Sequence, residues 1–561
     1  MTEPTAQLGP SAGQDWWRTG VVYQIYPRSY ADTNGDGIGD LAGILDHLDY
    51  LGGTPDSLGV DAIWLSPIYP SPDFDFGYDV ADYVGVDPKY GSLADFDRLV
   101  EACHRRGMRV VLDLVLNHSS SQHPWFEASR ASRDGPYADW YIWRDSPGRS
   151  LTGGRRPPNN WRSYFGGSAW TWDEARGQFY MHTFLPEQPD LNWRNPATHA
   201  ALLGVVQTWL DRGVDGFRLD VFNTYLKDPG LRSNPWRIGG RGRWSWQRHI
   251  HDRDQPELQD LLRELRALVD AKGGRMTVGE LFDGTLVDAA GLIAPHHLVF
   301  DWSLITLPWS AAAFARAIEA RDAAFGAEPW PANVLSNHDQ PRHASRLAPS
   351  GDGGSGDYAE GDARAKAAAV LLLTLRGTPF LYYGEEIALR NLDIPNELAL
   401  DPPARRASLL FPWWNRDQAR GPMPWSGGPG AGFSTGRPWL PLGPDVALHN
   451  VETEAADATS VLATYRRLLR LRRSNSALSA GSQVIVARGE GNVLAYVRRV
   501  GADAAFVALN FGSVAAQVDV PAAPPGRAWR VALSTAGRAT GDEVAGATSL
   551  APMEALVTTL A

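Results

Sequence analysis

The chain has 561 residues, with 53 Lys and Arg against 64 Asp and Glu, which gives a formal charge of −11 at pH 7. This acidic balance gives no reason to expect nucleic acid or an anionic membrane as a partner. No window approaches about 18 uninterrupted apolar residues, so the sequence predicts no membrane span. The length exceeds one ordinary domain and predicts a large catalytic domain with smaller ones beside it.

The chain begins with a short polar segment. Residues 1–15 lack a basic region followed by an apolar run, so we expect a disordered lead and not a signal peptide. The single cysteine, Cys103, excludes an internal disulfide framework and favours the cytoplasm. The 22 tryptophans are compatible with sugar binding, because aromatic faces pack against sugar rings, although tryptophan is also ordinary core material.

The stretch DTNGDGIGD at 32–40 alternates oxygen side chains with glycines, as a loop around a hard cation does. The candidate ligands are Asp32, Asn34, Asp36, the carbonyl of Ile38, and Asp40. In an EF-hand the loop ends with a bidentate glutamate, but here that position is Gly43. We therefore expect a cation-binding loop that is not a calcium sensor.

Eight short apolar runs, rich in β-branched residues, recur along the chain. Continuous apolar runs are typical of strands that are buried on both faces, as in a parallel sheet covered by helices. The runs are 21–27, 62–67, 109–115, 216–220, 276–281, 298–302, 332–337 and 377–384. Eight of them predict an α/β fold of the (β/α)8 TIM-barrel type.

Helical patterns fill several gaps between these runs. Residues 92–107 carry apolar side chains every three to four positions, begin at Ser92 as a cap and end at Gly107. Residues 197–213 and 256–274 follow the same pattern.

Two long segments rich in Trp, Pro and Gly interrupt this order, at about 118–188 and 385–455, and such lengths indicate a subdomain or a functional lid. From residue 477 onward, short alternating strands predict a C-terminal antiparallel β-sandwich domain. The predicted domains are the barrel at 16–117 and 189–476, a subdomain inserted after the third strand at 118–188, and the C-terminal domain at 477–561.

Polar side chains follow the predicted strands at the end where a TIM barrel carries its catalytic groups. They are Asp113, Asn117 and His118 after the third strand, Arg218 and Asp220 on the fourth, Glu280 on the fifth, and His338 and Asp339 on the seventh. Asp113 is more simply explained as a structural residue of its loop. The sequence therefore predicts that three carboxylates, Asp220, Glu280 and Asp339, meet on one rim.

Paired carboxylates indicate glycoside hydrolysis, which needs one protonated acid and one ionised nucleophile. A lone Asp after an apolar run is usually a helix cap. Arg218 and Asp220 are different, because alternate strand residues share a face and the arginine would keep the aspartate ionised. No phosphate loop, zinc pattern, nucleophile elbow or dinucleotide fingerprint competes with this interpretation.

These motifs occur in an order that resembles glycoside hydrolase family 13, the α-amylase family, and within it the α-glucosidase and oligo-1,6-glucosidase group. The resemblance covers nearly the whole chain, through YADTNGDGIGD, DLVLNH, QPDLN, GFRLDVFN, VGEL and SNHDQPR. It implies that Asp220 is the nucleophile, that Glu280 is the general acid and then base, and that Asp339 binds the 2- and 3-hydroxyls of the sugar.

The resemblance also implies which residues bind the substrate, a small oligosaccharide. They are Asp75, Tyr78, His118, Phe184, Gln188, Arg218, His338 and Arg420. Arg420 is expected to close the far end of the site together with Asp75, so that one terminal glucose is removed at a time. In this group the loop at 32–40 is a structural calcium or magnesium site, which is the cofactor we expect.

The implied reaction retains the anomeric configuration, with a raised pKa for Glu280 and a low pKa for Asp220. In the resembled group, a valine after the nucleophile, here Val221, goes with α-1,6 linkages, and both α-1,4 and α-1,6 preferences stay open.

Two other classes of function stay open as well. A transferase or isomerase of the same fold, such as a sucrose isomerase, trehalose synthase or transglucosylase, would differ only in what accepts the glucosyl group. A non-enzymatic barrel is disfavoured because all three carboxylates are present. The sequence leaves a monomer or a homo-oligomer undecided.

Overall fold

The computed structural model describes residues 15–150, 153–237, 239, 244–284, 292, 294–326, 330–349, 358–405 and 414–561. The predicted lead at 1–15 lies outside this part of the chain, apart from Asp15. Within the described ranges, no helix has the length and apolar character that crossing a membrane would need.

Eight parallel strands close into a barrel in which β1 pairs with both β2 and β8. The strands are β1 Val22–Ile25, β2 Ala62–Leu65, β3 Arg109–Leu114, β4 Gly216–Leu219, β5 Met276–Gly279, β6 Leu298–Asp301, β7 Trp330–Asn333 and β8 Thr378–Tyr382. Every strand residue except Arg109 is buried, as expected for a sheet that is covered on both faces. The predicted TIM barrel is confirmed.

The seventh strand begins earlier than its predicted run at 332–337. It includes Pro331, which a sequence pattern excludes from a central strand because proline lacks a backbone N–H to donate. The strand ends at Asn333, whose amide group donates to the carbonyl of Arg376 at 3.0 Å and accepts from Arg321 at 2.8 Å.

Helices surround the barrel. The α-helices of the described ranges are Trp16–Thr19, Leu41–Asp46, Leu48–Leu51, Leu93–Arg105, Pro124–Ala131, Pro196–Asp211, Leu258–Asp270, Ala311–Phe325, His343–Arg346, Tyr358–Thr374, Pro402–Arg405, Val451–Ala456, Val461–Ser474 and Ser476–Ala480. The helix predicted at 92–107 begins with a capping box, in which Ser92 and Asp95 bond each other's backbone N–H groups. The other two predicted helices are also present.

The segment between β3 and β4 forms a small layer over the rim of the barrel. It contains the helix Pro124–Ala131 and an antiparallel sheet of the strands Trp143–Arg144, Trp170–Asp173 and Gln178–Met181. Its own core includes Trp161, Trp170 and Phe179. This layer carries aromatic and amide side chains to the mouth of the barrel.

The C-terminal part of the chain forms two antiparallel sheets that share one core. Its strands are β9 Ser482–Arg488, β10 Val493–Val500, β11 Asp503–Asn510, β12 Ala516–Val520, β13 Trp529–Ser534, β14 Glu543–Val544, β15 Gly546–Leu550 and β16 Ala555–Leu560. Six of them pair in the order β9-β10-β11-β16-β13-β14, and β12 pairs with β15. Val518 and Leu550 of the smaller sheet pack in one cluster with Trp529 of the larger one.

A buried arginine joins this part to the barrel. Arg498 on β10 donates to the carbonyl of Thr374, at the C-terminal end of the helix Tyr358–Thr374, and to the carbonyl of Gly481 at 2.8 Å. A cation is favoured at that helix end, because the exposed carbonyls carry partial negative charge.

The backbone pairing of the barrel continues one residue past the strands and fixes the two central carboxyl groups. The N–H of Asp220 donates to the carbonyl of Leu114 at 3.0 Å, and the N–H of Glu280 donates to the carbonyl of Leu219 at 3.0 Å. Asp220 and Glu280 therefore start from adjacent positions on the same rim.

Candidate active site

Arg218 on β4 lies at the centre of the rim. Its guanidinium donates to the carboxyl groups of Asp220 and of Asp113, each at 2.6 Å, and to the carboxyl group of Glu280. The arginine is fully buried, so these charge-assisted bonds act without competition from water. One positive side chain therefore holds three carboxyl groups in fixed directions.

The three carboxyl groups are buried and share one positive charge, and both conditions determine their pKa values. Burial raises the pKa of Asp220 and of Glu280, while Arg218 opposes the rise. Burial also raises the pKa of Asp113 to about 6. The expected low pKa of Asp220 is wrong, because burial disfavours its charged form, the negative charges of Glu280, Asp113 and Asp339 add to the rise, and Arg218 offsets only part of it.

Asp220 and Glu280 therefore titrate as a pair, not as independent groups. Losing the first proton leaves one negative charge beside the arginine, and losing the second proton adds a like charge to the same buried site. Over a range of pH the pair holds one proton and one negative charge. This is the combination that an acid and a nucleophile require.

Asp339 lies across the pocket and is held ionised. It accepts hydrogen bonds from Arg420 at 2.8 Å and from Arg416 at 3.3 Å. Burial alone would raise the pKa of Asp339, but the positive side chains around it hold that pKa below its usual range.

His338 lies behind Asp339 and not in the pocket. Burial lowers the pKa of His338 to about 3, so its ring is neutral near pH 7. One ring nitrogen bonds the hydroxyl of Tyr78 at 2.6 Å and the other bonds the side chain of Gln24 at 2.8 Å. Tyr78 also donates to Asp113 at 3.0 Å, and Asp113 in turn accepts from Arg218, so the two groups of residues are connected.

The far end of the site is closed by an ion pair. Arg416 donates to Asp75 at 2.5 Å and also to the fully buried Asp401 at 2.7 Å. Arg420 is expected to close this end together with Asp75, but the residue that bonds Asp75 is Arg416, and Arg420 donates to Asp339 and to the carbonyl of His338 at 2.9 Å. Both arginines belong to the short stretch NRDQAR, and sequence alone does not decide which of them faces Asp75.

A histidine and an amide complete the polar wall. Gln188 donates to Asp75 at 3.2 Å and lies 3.2 Å from a ring nitrogen of His118. Burial lowers the pKa of His118 to about 4. The ring of Phe184 packs edge-on against His118, with 5.2 Å between the ring centres.

These groups line a pocket of about 540 Å³, a volume typical of small-molecule sites. The predicted residues that line it are Asp75, Tyr78, His118, Phe184, Gln188, Asp220, Glu280 and Asp339. The other three, Arg218, His338 and Arg420, are buried behind its surface and contact residues that line it.

Sequence reasoning missed the aromatic mouth of this pocket. Its lining also includes Tyr164, Phe165, Phe282, Trp302 and Trp414, together with Arg416. Phe282 follows Glu280 at the alternate position, which is a signal for a shared side, and its ring lies 4.6 Å from that of Tyr164. The others lie in segments where many aromatic residues occur, so nothing in the sequence separates them from core residues.

Val221, directly after Asp220, lines the pocket in a strained conformation. Its φ of 38° lies in the left-handed region, which a β-branched residue rarely adopts. The hydroxyl and the N–H of Thr224 donate to its carbonyl at 2.7 and 2.9 Å and hold this turn. The N–H of Val221 lies 3.5 Å from a carboxyl oxygen of Glu280. Strain of this kind persists where the surroundings fix a functional geometry.

The loop at 32–40 uses its oxygen atoms to bond its own backbone. Asp32 accepts from the N–H groups of Gly35 and Gly37, each at 2.8 Å. Asp40 caps the next helix by accepting from Gly43 at 2.7 Å. In the described part of the chain, no group of three or more His, Cys, Asp and Glu side chains is arranged to hold a metal ion. Cation binding at Asp32, Asn34, Asp36, Ile38 and Asp40 stays a prediction.

Comparison with known proteins identifies relatives along almost the whole chain. The family model described as the alpha-amylase catalytic domain matches residues 24–481. A probable alpha-glucosidase of Rhizobium meliloti is 42% identical over 539 residues, covering 93% of this chain and 94% of the relative. An oligo-1,6-glucosidase of Parageobacillus thermoglucosidasius is 36% identical over 529 residues, covering 88% of this chain and 90% of the relative.

Solved structures are similar over the same extent. The alpha-glucosyl transfer enzyme XgtA superposes with a TM-score of 0.87 at 38% identity, covering 97% of this chain and 99% of the other. The trehalulose synthase MutB of Pseudomonas mesoacidophila MX-45 superposes with a TM-score of 0.85 at 34% identity, again covering 97% and 99%.

Replacing Arg218 with methionine tests the shared charge. The carboxyl groups would then lack their cation, their pKa values would rise further, and the loss of a buried partner costs about 3–5 kcal/mol of stability. In the unfolded chain these groups ionise near pH 4, at about 3.9 for Asp and 4.3 for Glu. Raised native pKa values therefore stabilise the fold below pH 4, and this contribution is lost as the pH rises through the native values.

We expect the urea midpoint of Arg218→Met to fall below that of the wild type, and to fall further at pH 8 than at pH 5. Arg105→Met serves as a matched control, because Arg105 pairs with Glu101 at 2.6 Å and both side chains are mostly exposed, so its midpoint should stay unchanged. An Arg218→Met deficit of the same size at both pH values would contradict the shared-charge account.

Proposed function

The chain belongs to the alpha-amylase family of glycoside hydrolases, and we propose that it is an exo-acting retaining α-glucosidase of short gluco-oligosaccharides. One observation carries the proposal: the pocket that contains the carboxyl pair is closed at its far end by Asp75 and Arg416, which lie 2.5 Å apart. A closed end admits a terminal glucose and excludes a chain that passes through. The bonds cleaved would be α-1,4, α-1,6 or both.

In the proposed first step, a carboxylate oxygen of Asp220 attacks the anomeric carbon while Glu280 gives its proton to the leaving oxygen. The glycosidic C–O bond breaks, and an ester of glucose with Asp220 forms. The position of Arg218 between the two groups supports this step, because its guanidinium donates to a carboxyl oxygen of Asp220 at 2.6 Å and also to Glu280. The shared proton of the pair supplies an acid and a nucleophile together.

In the second step Glu280, now ionised, takes a proton from water, and the water oxygen attacks the same carbon. The ester bond breaks, Asp220 is restored as a carboxylate, and α-glucose leaves. Asp339, kept ionised by Arg416 and Arg420, would accept hydrogen bonds from the sugar hydroxyls in both steps. Interactions that strengthen in the transition state raise the rate.

A glucosyl transferase or isomerase is the second candidate. XgtA is named an alpha-glucosyl transfer enzyme and MutB a trehalulose synthase, and both superpose on this chain. The aromatic mouth formed by Tyr164, Phe165 and Phe282 supports the same alternative, because rings that face a pocket favour a sugar acceptor over water.

For the linkage, Val221 supports cleavage of α-1,6 bonds through the resemblance to oligo-1,6-glucosidases.

For the loop at 32–40 we propose a structural calcium or magnesium ion. The donor set fits, because carboxylate, amide and carbonyl oxygens are the ligands that hard cations take. The ion would lie remote from the carboxyl pair and would stabilise the loop, which packs against residues 433–438 through a bond of 2.6 Å between Ser434 and Asp32. It takes no part in the proposed reaction.

A time course of the purified protein with isomaltose, maltose, sucrose and trehalose in parallel tests the proposal. We expect glucose as the main early product, released as the α-anomer by NMR, with isomaltose or maltose cleaved fastest. The reason is that a closed pocket binds one terminal glucose and that two displacements retain the configuration.

Two results would count against the proposal. New disaccharides or trisaccharides that form before free glucose would favour the transferase or isomerase. Initial release of β-glucose would exclude a retaining mechanism altogether.

Metal removal tests the proposed ion. Because a ligand that binds only the native state stabilises it, we expect the thermal midpoint to rise by at least about 2 °C when calcium replaces a chelator. Asp36→Asn should abolish this rise and Asp56→Asn, at an exposed position outside the loop, should keep it. An unchanged midpoint with both calcium and magnesium would overturn the proposed site.

A further inference from the structure

We propose that Asp79 is a positioning residue that directs Asp75 toward the terminal sugar. The inference rests on the proposed function and concerns the turn that carries Asp75. Asp79 is completely buried, and its carboxylate accepts from the hydroxyl of Ser71 at 2.9 Å, the N–H of Phe74 at 2.9 Å and the N–H of Asp75 at 2.8 Å. One carboxylate therefore fixes the turn at three points.

The turn needs such support because its backbone is strained. Asp73 has φ of 63° and Phe76 has φ of 48°, so non-glycine residues in the left-handed region lie on both sides of Asp75. Aspartate tolerates this region, but a bulky residue such as phenylalanine is a true outlier there. A strained conformation persists only where surrounding contacts fix it. The bonds from Phe74 and Asp75 to Asp79 are such contacts.

What this turn fixes is the direction of the Asp75 carboxylate. That carboxylate accepts from Arg416 at 2.5 Å on one oxygen and from Gln188 at 3.2 Å on the other. A rotation of the turn would break one of these bonds and displace the closed end of the pocket. Asp79 does not line the pocket, but its bond with the N–H of Asp75 connects it to a residue that does.

The chemistry of the side chain fits this role better than simple packing. Three donors converge on Asp79, and only an acceptor-only group satisfies all of them; an asparagine would turn its NH₂ toward one of the donors. Within the described ranges, no lysine, arginine or histidine forms an ion pair with Asp79. Burying a carboxyl without a cation is costly, and the three directed hydrogen bonds offset that cost.

A double-mutant cycle tests the proposal with p-nitrophenyl α-glucoside as substrate. We expect Asp79→Asn to lower kcat/KM by about 10- to 100-fold, because a small displacement of a binding group has effects of that size. In an Asp75→Asn background the same change should have no further effect, because Asp79 acts through Asp75. Asp82→Asn is the matched control: Asp82 lies on the same segment, is exposed, and accepts from the N–H of Val84 at 3.0 Å. It should keep wild-type kcat/KM.

A fold-change for Asp79→Asn that is equally large in the Asp75→Asn background would overturn the proposal, and so would wild-type kcat/KM. If Asp79→Asn fails to fold by circular dichroism, Ser71→Ala repeats the cycle, since it removes one donor and leaves the carboxylate. Its smaller loss should also vanish in the Asp75→Asn background, and persistence of that loss would overturn the proposal. A wild-type protein that does not cleave the glucoside would instead refute the proposed function, so the two failures are distinguishable.

Discussion

The bonds of one buried guanidinium with three carboxyl groups are the constraint on which the rest of the site depends. The ends of three neighbouring barrel strands supply Asp113, Asp220 and Glu280, and Arg218 lies between them. With one positive charge for three acids, the central pair retains a proton over a range of pH. The barrel determines these distances, and the distances determine the charge of the pair. The proposed acid and nucleophile therefore arise from a single electrostatic arrangement.

A second guanidinium organises the opposite end of the pocket. Arg416 contacts Asp75, Asp339 and Asp401, so it joins the closed end of the pocket to the third carboxylate of the proposed reaction. At this end Asp339 contacts two arginines, because Arg420 bonds it as well as Arg416. The pKa of Asp339 is therefore lowered, in contrast to the raised pKa values of Asp220 and Glu280, which share a proton. One end of the pocket has more acids than cations and the other end has two cations on one acid, so the acids at the two ends differ in protonation.

The sequence predicts the barrel and the meeting of Asp220, Glu280 and Asp339 in one pocket, since both follow from local patterns: apolar runs, and polar residues at their ends. It fails where the answer depends on neighbours in space. The pKa of Asp220 is raised by its burial in the assembled site and by acids from other strands, neither of which the spacing from Arg218 reveals. Arg416 and Arg420 lie one short turn apart in NRDQAR, so the motif does not assign their partners. The aromatic mouth comes from separate segments that carry no distinguishing pattern.

The most direct test of the account is to trap and map the glucosyl group on the protein. With 5-fluoro-α-glucosyl fluoride, the ring fluorine slows both displacements while the good leaving group favours the first, so an intermediate accumulates. After rapid digestion at low pH, mass spectrometry should find one fluoroglucosyl group on the peptide that contains Asp220, and none in Asp220→Asn. A label on the peptide of Glu280, or turnover with no label on any peptide, would contradict Asp220 as the nucleophile.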